Sequence, residues 1–261
     1  MKLKIYKMKN FKLLTFIALI GLISCNNVAK NSEQISDKQE FAKENMLSSQ
    51  EQSEGWQLLF DGKTTNGWKN FNEDNISGWN VEDGCLVGQG LGGDIGGDIV
   101  SVKEYSNFIL KWDWKLGPNG NSGVMYHVVE NPKYKAPYET GPEYQHIEDD
   151  DFRNPDGSQY PLEDWQKTAA DYAMYLPNEN KKVNLREWNS SMIKFTQAKA
   201  EYWLNGKKVL EFVPWSDDWN SRRNSGKWDQ YPDYGYAKTG KICLQDHGSK
   251  IWFKNVKIKE L

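Results

Sequence analysis

The chain has 261 residues, 33 Lys and Arg against 36 Asp and Glu, a formal charge of −3 and 12 tryptophans. That acidity argues against a nucleic-acid binder, which needs a basic footprint to meet phosphates. Three cysteines, at 25, 85 and 243, are too few and too scattered for a disulfide scaffold or a cysteine metal cage.

MKLKIYKMKNFK is basic, LLTFIALIGLI is apolar but short for a bilayer span, and LISC follows at residues 22–25. The run resembles a bacterial lipobox, which implies a signal peptide over 1–24 and lipid on Cys25. The expected product is an exported lipoprotein of the periplasm, outer membrane or cell surface, touching the membrane through its lipid alone. Losing the signal's five lysines takes the charge from −3 to −8. Residues 25–54 are polar and lack a sustained apolar period, as in a flexible tether. Every tryptophan lies beyond Gly55, and the about 200 residues of 55–261 suffice for one sizeable core.

Within 55–261, short alternating runs bounded by Gly, Asn, Asp and Pro predict strands. In chain order they are WNVEDGCLVG, NFILKWDWKL, SGVMYHVVE, PEYQHIED, WNSSMIKFT, AKAEYWLNGKKVLEF, KICLQDHG and IWFKNVKIKEL. One helical piece fits, within PWSDDWNSRRNSGKW at 214–228. The class is all-β, an antiparallel sandwich or barrel.

After the first of these runs comes GQGLGGDIGGDIV, residues 88–100, which contains G-x-G-x-x-G at Gly88, Gly90 and Gly93. A nucleotide phosphate needs a helix opening directly behind those glycines. Alternating β-branched and aromatic residues follow instead, so the segment is a loop between strands, with Asp94 and Asp98 candidate contacts on the rim of a cleft.

Side-chain parity sorts the strand faces. In NFILKWDWKL, Phe108, Leu110, Trp112 and Trp114 face the core. In PEYQHIED, Tyr144 and His146 pack inward, sending Glu143 and Gln145 outward. In KICLQDHG, Ile242 and Leu244 are inward, and Cys243, Gln245 and His247 outward. In SGVMYHVVE, Val124, Tyr126 and Val128 form the apolar set and His127 faces out. One solvated sheet face then carries Glu143, Gln145, His127, Gln245 and His247.

Several stretches, LLFDGKTTNGWKN, NSGVMYHV, PEYQHIEDD, TAADYAMYLP, REWN, EYWLNGKKV and ICLQDHGSKIWFKNVKIKEL, occur in an order that resembles the 3-keto-disaccharide hydrolase domain family from about Gly55 to the C-terminus. The resemblance implies a concanavalin A-like jelly-roll sandwich of two antiparallel sheets with a carbohydrate cleft. It implies a substrate whose C3 hydroxyl a partner sugar 3-dehydrogenase has oxidised to a ketone. The ketone acidifies the hydrogen at C2, so a base can remove it and the C1 aglycone leaves by elimination or net hydrolysis. Glu143 and His247 are the catalytic candidates, His247 as base and Glu143 as acid or alternative base. Gln145, Gln245, His127 and Tyr172 are substrate-binding candidates. The residues assign no partner for the ketone oxygen. The family often has Arg in place of His127 and an aliphatic residue in place of His146.

No cofactor is certain. His127, His146, Glu148 and Asp149 suggest a divalent cation, but parity separates the two histidines, and Asp149, Asp150 and Asp151 suit a solvated turn. A retaining glucanase would need Glu143 and Glu148 to converge, yet residues five apart on a strand face opposite ways unless a bulge intervenes. A non-catalytic carbohydrate-binding module is the third reading, since aromatics suit sugar faces as well as cores. Outside the cytoplasm a Cys85–Cys243 disulfide is permitted, though spacing does not establish proximity.

Overall fold

The structure is a computed structural model that describes residues 44–92 and 97–261. The signal sequence, Cys25 and Asp94 lie outside the described residues. The strands are β1 (Trp56–Leu58), β2 (Trp68–Asn70), β3 (Trp79–Glu82), β4 (Cys85–Gln89), β5 (Ile99–Tyr105), β6 (Phe108–Leu116) and β7 (Asn121–Val128). They continue as β8 (Glu143–Ile147), β9 (Asn189–Thr196), β10 (Lys199–Leu204), β11 (Lys207–Phe212), β12 (Gly240–Leu244) and β13 (Lys250–Glu260).

All ladders are antiparallel. The larger sheet runs β11-β10-β9-β6-β13-β4-β3, with β1 also on β13, and the smaller runs β2-β5-β12-β7-β8. The fold is a concanavalin A-like jelly-roll sandwich. Two hairpins follow from Asp83-Gly84 and Asn205-Gly206, whose φ values of 48° and 75°, and 48° and 77°, place both central residues in the left-handed region. Tight two-residue turns require that conformation, and Asn, Asp and Gly tolerate it best.

β6 supplies the centre of the core. Its burial alternates strictly, with Phe108, Leu110, Trp112, Trp114 and Leu116 inward. They meet Val124, Tyr126, Tyr144, Ile242 and Leu244 of the smaller sheet in one cluster. Trp112 meets Tyr144 edge-on, with centroids 5.1 Å apart, and Trp114 stacks on His146 at 4.3 Å. Each large buried side chain contributes roughly 1.5–3 kcal/mol of transfer free energy, so the aromatics of β6 carry much of the sandwich's cohesion.

Strands β7, β8 and β12 of the smaller sheet are buried on both faces. Beneath the sheet's outer surface Val100, Met125, Val128 and Cys243 form a second apolar cluster, covered by Phe71 and Tyr138. Cys85 lies on the larger sheet and Cys243 on the smaller, and both are free thiols.

The end of the expected tether is part of the domain. Asn45 is buried and trades hydrogen bonds with Asn255: Asn45 N donates to Asn255 Oδ1 at 2.7 Å, and Asn255 N donates to Asn45 Oδ1 at 2.8 Å. A short helix, α1 (Ser49–Ser53), follows with a capping box between Ser48 and Glu51. Composition suggested a leash because most of these side chains are polar and exposed; the attachment is through hydrogen bonds, which leave no apolar period.

The helical piece expected in 214–228 is α2 (Asp217–Arg223), capped by Ser216, whose Oγ accepts from Trp219 N at 3.2 Å. A 3-10 turn, Gly226–Gln230, completes the segment.

Candidate functional site

The site lies on the outer face of the smaller sheet. Asn121, Tyr138, Glu143, Gln145, Tyr172, Lys227, Gln245 and His247 enclose a cavity of about 90 Å³. An outer chamber of about 650 Å³ shares Tyr138, Gln245 and His247 with it and reaches Asn70, Asp98 and Lys135. Parity along β8 and β12 holds: Glu143 and Gln145 of β8 meet Gln245 and His247 just beyond β12. The face is roofed rather than solvated, since Glu143, Gln145 and Gln245 are buried and only His247, at the rim, is exposed.

Glu143 pairs with Met125 across the ladder, and its side chain fits because the diagonal residue, Gly123, opposite Gln145, has no side chain. An added Cβ on Gly123 would stand 2.0 Å from Glu143 Oε1, so the carboxyl lies where any other residue would place its own. It accepts no hydrogen bond among the described residues. Burial raises its pKa, the Lys227 ammonium opposes that, and the carboxyls of Asp98 and Asp171 add to it.

Two buried amide oxygens line the same cavity without a partner among the described residues, Gln145 Oε1 and Gln245 Oε1. The Gln145 amide nitrogen donates to Asn121 Oδ1 at 3.3 Å, which fixes the direction of its oxygen. Orphaned buried acceptors are costly and rare, and in a cavity they point to donors on a ligand or water. Tyr172 adds a ring to the wall, its phenol accepting from Gln166 Nε2 at 3.4 Å.

Asp98 faces the outer chamber. Its Oδ1 accepts from Asp246 N at 3.0 Å. Desolvation pushes this carboxyl up to about 7, with the Asp246 amide opposing and the Asp246 carboxylate adding.

The glycine-rich loop does hold an anion, supplied by the chain itself. Asp246 Oδ2 accepts from Gly90 N at 3.0 Å and Leu91 N at 3.3 Å, and Oδ1 from Gly92 N at 3.1 Å and Gly248 N at 3.2 Å. Successive amides form such a nest when glycines supply the positive φ, here 75° at Gly90 and 60° at Gly92. Added Cβ atoms at these positions would stand 2.9 Å from the backbone of Ser249 and of Gly248. The loop is thereby clasped to the segment that carries His247.

His127 does not join the cleft. Between Val128↔Lys241 and Met125↔Cys243, β7 spends one residue more than β12. At this bulge His127 takes φ 54°, and the alternation inverts, so His127 turns inward and Val128 outward. Its Nε2 donates to Ser106 O at 2.8 Å, its ring meets Phe195 edge-on at 4.6 Å, and burial lowers its pKa to about 4. Parity reasoning placed it outward because a bulge has no mark in a single sequence except Gly240, whose missing Cβ would fall 2.4 Å from the His127 backbone.

The cation candidates are also occupied by protein groups. His146 Nε2 accepts from Trp112 Nε1 at 3.2 Å, and burial drives its pKa well down, so the ring is neutral. Glu148 takes a two-pronged contact from Arg186, Nε to Oε1 at 2.7 Å and Nη2 to Oε2 at 3.3 Å. Asp149 pairs with Lys181 and accepts from Thr168 N at 2.7 Å, and Asp151 pairs with Arg153 at 2.6 Å. No group of three or more His, Cys, Asp or Glu converges as a metal site among the described residues. Glu148, bound to Arg186, is no second carboxylate for Glu143.

Sequence reasoning missed Asn121, Tyr138, Lys227 and Asp246. Asn121 carried a faint signal, being the strand neighbour of Glu143's glycine at a polar position of β7. Lys227 sits in a segment that looks like polar helix, and only the fold brings it to the cleft.

A family model described as a 3-keto-alpha-glucoside-1,2-lyase-like domain matches residues 55–259. A 3-keto-disaccharide hydrolase of Bacteroides thetaiotaomicron is 30% identical over 233 residues, covering 80% of this chain and 79% of that one. Among solved structures, a Parabacteroides distasonis chain provisionally described as a glycosyl hydrolase superposes with a TM-score of 0.77 at 56% identity, covering 84% of this chain and 100% of that one. Another from the same species, described likewise, gives a TM-score of 0.57 at 29% identity, covering 79% and 99%.

Proposed function

We propose a function from one established premise: the chain belongs to the 3-keto-alpha-glucoside-1,2-lyase-like domain family. The activity is cleavage of a glycosidic bond, and the substrate is a glycoside or disaccharide carrying a ketone at C3. The observation that carries this reading is Glu143, an enclosed, unpaired carboxyl of raised pKa, in one cavity with His247.

A base works best when its pKa approaches the working pH, and burial moves Glu143 in that direction. Glu143 takes the proton from C2, and the electron pair flows toward the C3 oxygen. When that pair returns, the C1–O bond breaks and a C1=C2 double bond forms. His247, at the solvent-facing rim, gives a proton to the departing oxygen. Water adding across the double bond makes the net reaction a hydrolysis. The oxygens of Gln145 and Gln245 accept from sugar hydroxyls, Tyr172 packs on the ring, and the outer chamber with Asp98 receives the aglycone. A sugar 3-dehydrogenase supplies the ketone, and the resemblance of residues 22–25 to a lipobox supports an exported enzyme held on a lipid anchor.

The test offers the protein a 3-keto-glucoside and, separately, its unoxidised parent, in deuterated water. Release from the ketone alone, with exchange at C2, is expected. Release from the parent would mean ordinary hydrolysis, and retention without release a binding module. Glu143→Gln should cut exchange and release together by about 10²–10⁴-fold. His247→Asn should spare exchange and slow release most for poor leaving groups. If both variants keep full turnover, the cleft is not the site.

A further inference from the structure

Lys227 differs from the ion-paired lysines of the outer surface, and from Lys111 and Lys115, which also rest on tryptophan rings, in lining the cavity beside Glu143. Lys250 pairs with Glu82 at 2.8 Å, Lys133 with Asp233 at 2.9 Å, and Lys254 and Lys257 with Glu44 and Glu51. Lys227 makes no ion pair, and its Nζ finds no hydrogen-bond acceptor, among the described residues. Its Nζ lies 4.3 Å from the centre of the Tyr172 ring, 4.6 Å from that of Trp228 and 5.5 Å from that of Tyr138. Aromatic faces stabilise a cation without accepting its N–H bonds in the way an oxygen does. The donors therefore remain free, and the side chain lines the cavity beside Glu143.

The cage is held from behind. Trp228 stacks on Tyr234 with ring centroids 3.8 Å apart and planes 8° from parallel, and its indole N–H donates to Tyr172 O at 2.9 Å. Rigid placement matters because a charge that is already oriented needs no reorganisation as the reaction proceeds.

We propose that Lys227 is a catalytic residue of this cleft, whose ammonium binds the C3 carbonyl oxygen of the substrate and holds the negative charge that collects there. The inference rests on the function proposed above and supplies what that reaction lacks, an electrophilic partner for the ketone. As Glu143 accepts the C2 proton, the C–H electron pair forms the C2=C3 bond and the carbonyl pair moves to oxygen, facing the ammonium. No bond to nitrogen forms. The pair then returns, the C1–O bond breaks and the ketone is restored. A C3 hydroxyl would gain a hydrogen bond from Lys227 but would develop no charge, so the same residue selects oxidised sugars over their parents. Burial lowers the pKa of Lys227 while the Glu143 carboxylate opposes that, which places a weakly solvated cation where it acts most strongly.

The test compares the full chain with Lys227→Met and Lys227→Arg. With nitrophenyl 3-keto-glucoside, Met should lower C2 exchange and release by about 10²–10³-fold, as loss of one oxyanion donor does. Arg, which keeps the charge, should recover at least about a tenth of the wild-type rate. In a Glu143→Gln background, where bound sugar is not consumed, Met should weaken methyl 3-keto-glucoside by about 10-fold or more in calorimetry and methyl glucoside by clearly less, the loss of one neutral hydrogen bond. Three results would overturn the proposal: a Met variant within about threefold of an active wild type, equal weakening of both sugars, or a borohydride-trapped sugar adduct on Lys227, which would mean imine chemistry. A wild type inert toward the ketone would instead remove the underlying function.

Discussion

Two concavities use similar materials and partner them differently. The groove on the outer face of the larger sheet, about 380 Å³, is lined by Met46, Lys111, Asp113, Met192, Trp203 and Lys257, among others. There Asp113 accepts from Ser190 Oγ at 2.5 Å and Asn255 Nδ2 at 2.7 Å and Lys257 pairs with Glu51, which leaves Trp203 Nε1, a neutral donor, as the buried polar atom without a partner among the described residues. In the cleft of the smaller sheet a carboxyl, an ammonium and two amide oxygens, those of Glu143, Lys227, Gln145 and Gln245, gather with no ion pair or protein hydrogen bond of their own among the described residues. A folded chain pairs polar groups wherever it can, because leaving one buried and unpaired costs about 1–3 kcal/mol. Groups left over in a cavity are therefore a better guide to chemistry than the size of the hollow.

The sharpest way to break this contrast is to disturb the cleft without touching its polar groups. Gly123→Ala inserts a methyl into the space of the Glu143 carboxyl, and a misplacement near 1 Å costs about 10²-fold in rate. Steady-state kinetics on a 3-keto-glucoside should show that loss, alongside a destabilisation of about 1–3 kcal/mol by urea titration. Full activity would mean that Glu143 does not work from its observed position.

A buried carboxyl outside both hollows sharpens the comparison. Asp171 accepts from Tyr202 at 3.1 Å, while its Oδ2 has no partner among the described residues. Burial pushes it up to about 8, with Tyr202 opposing. The native state thus holds this proton more tightly than the unfolded chain. The resulting stability is complete below about pH 4, the unfolded value, and is lost as pH rises through about 8. Asp171→Asn removes that dependence. Relative to wild type, its melting temperature should be higher at pH 8 than at pH 5 by at least about 3 °C, the shift produced by about 1 kcal/mol in a domain of this size. A pH-independent difference would show that Asp171 is ionised in the fold.

The smallest effect belongs to the outer surface. Glu211 pairs with Lys208 and, at 3.4 Å, with Lys199, all exposed. Glu211→Gln should change unfolding free energy by no more than about 1 kcal/mol and leave turnover untouched. A kinetic effect there would unsettle the distinction between the two faces.

The sequence carried the sandwich clearly where strands alternate without interruption, as in β6, and where Asp83-Gly84 and Asn205-Gly206 mark hairpins. It placed Glu143, Gln145, Gln245 and His247 together because parity survives along β8 and β12. It misplaced His127, since one extra residue in β7 reverses the faces beyond it. Lys227 was illegible for another reason: a 3-10 turn has no strand periodicity, and the rings that cage its ammonium come from positions 138, 172 and 228. The inner end of the tether was equally hidden, because Asn45 attaches through amide groups and polar composition alone cannot reveal such a seam.

The carboxylate of Asp246 within the glycine loop sets a limit on what can enter. Because four backbone amides from residues 90–92 and 248 grip one side chain next to His247, the lip and the imidazole are riveted together. Prising that edge apart to admit a bulkier leaving group would carry His247 away with it.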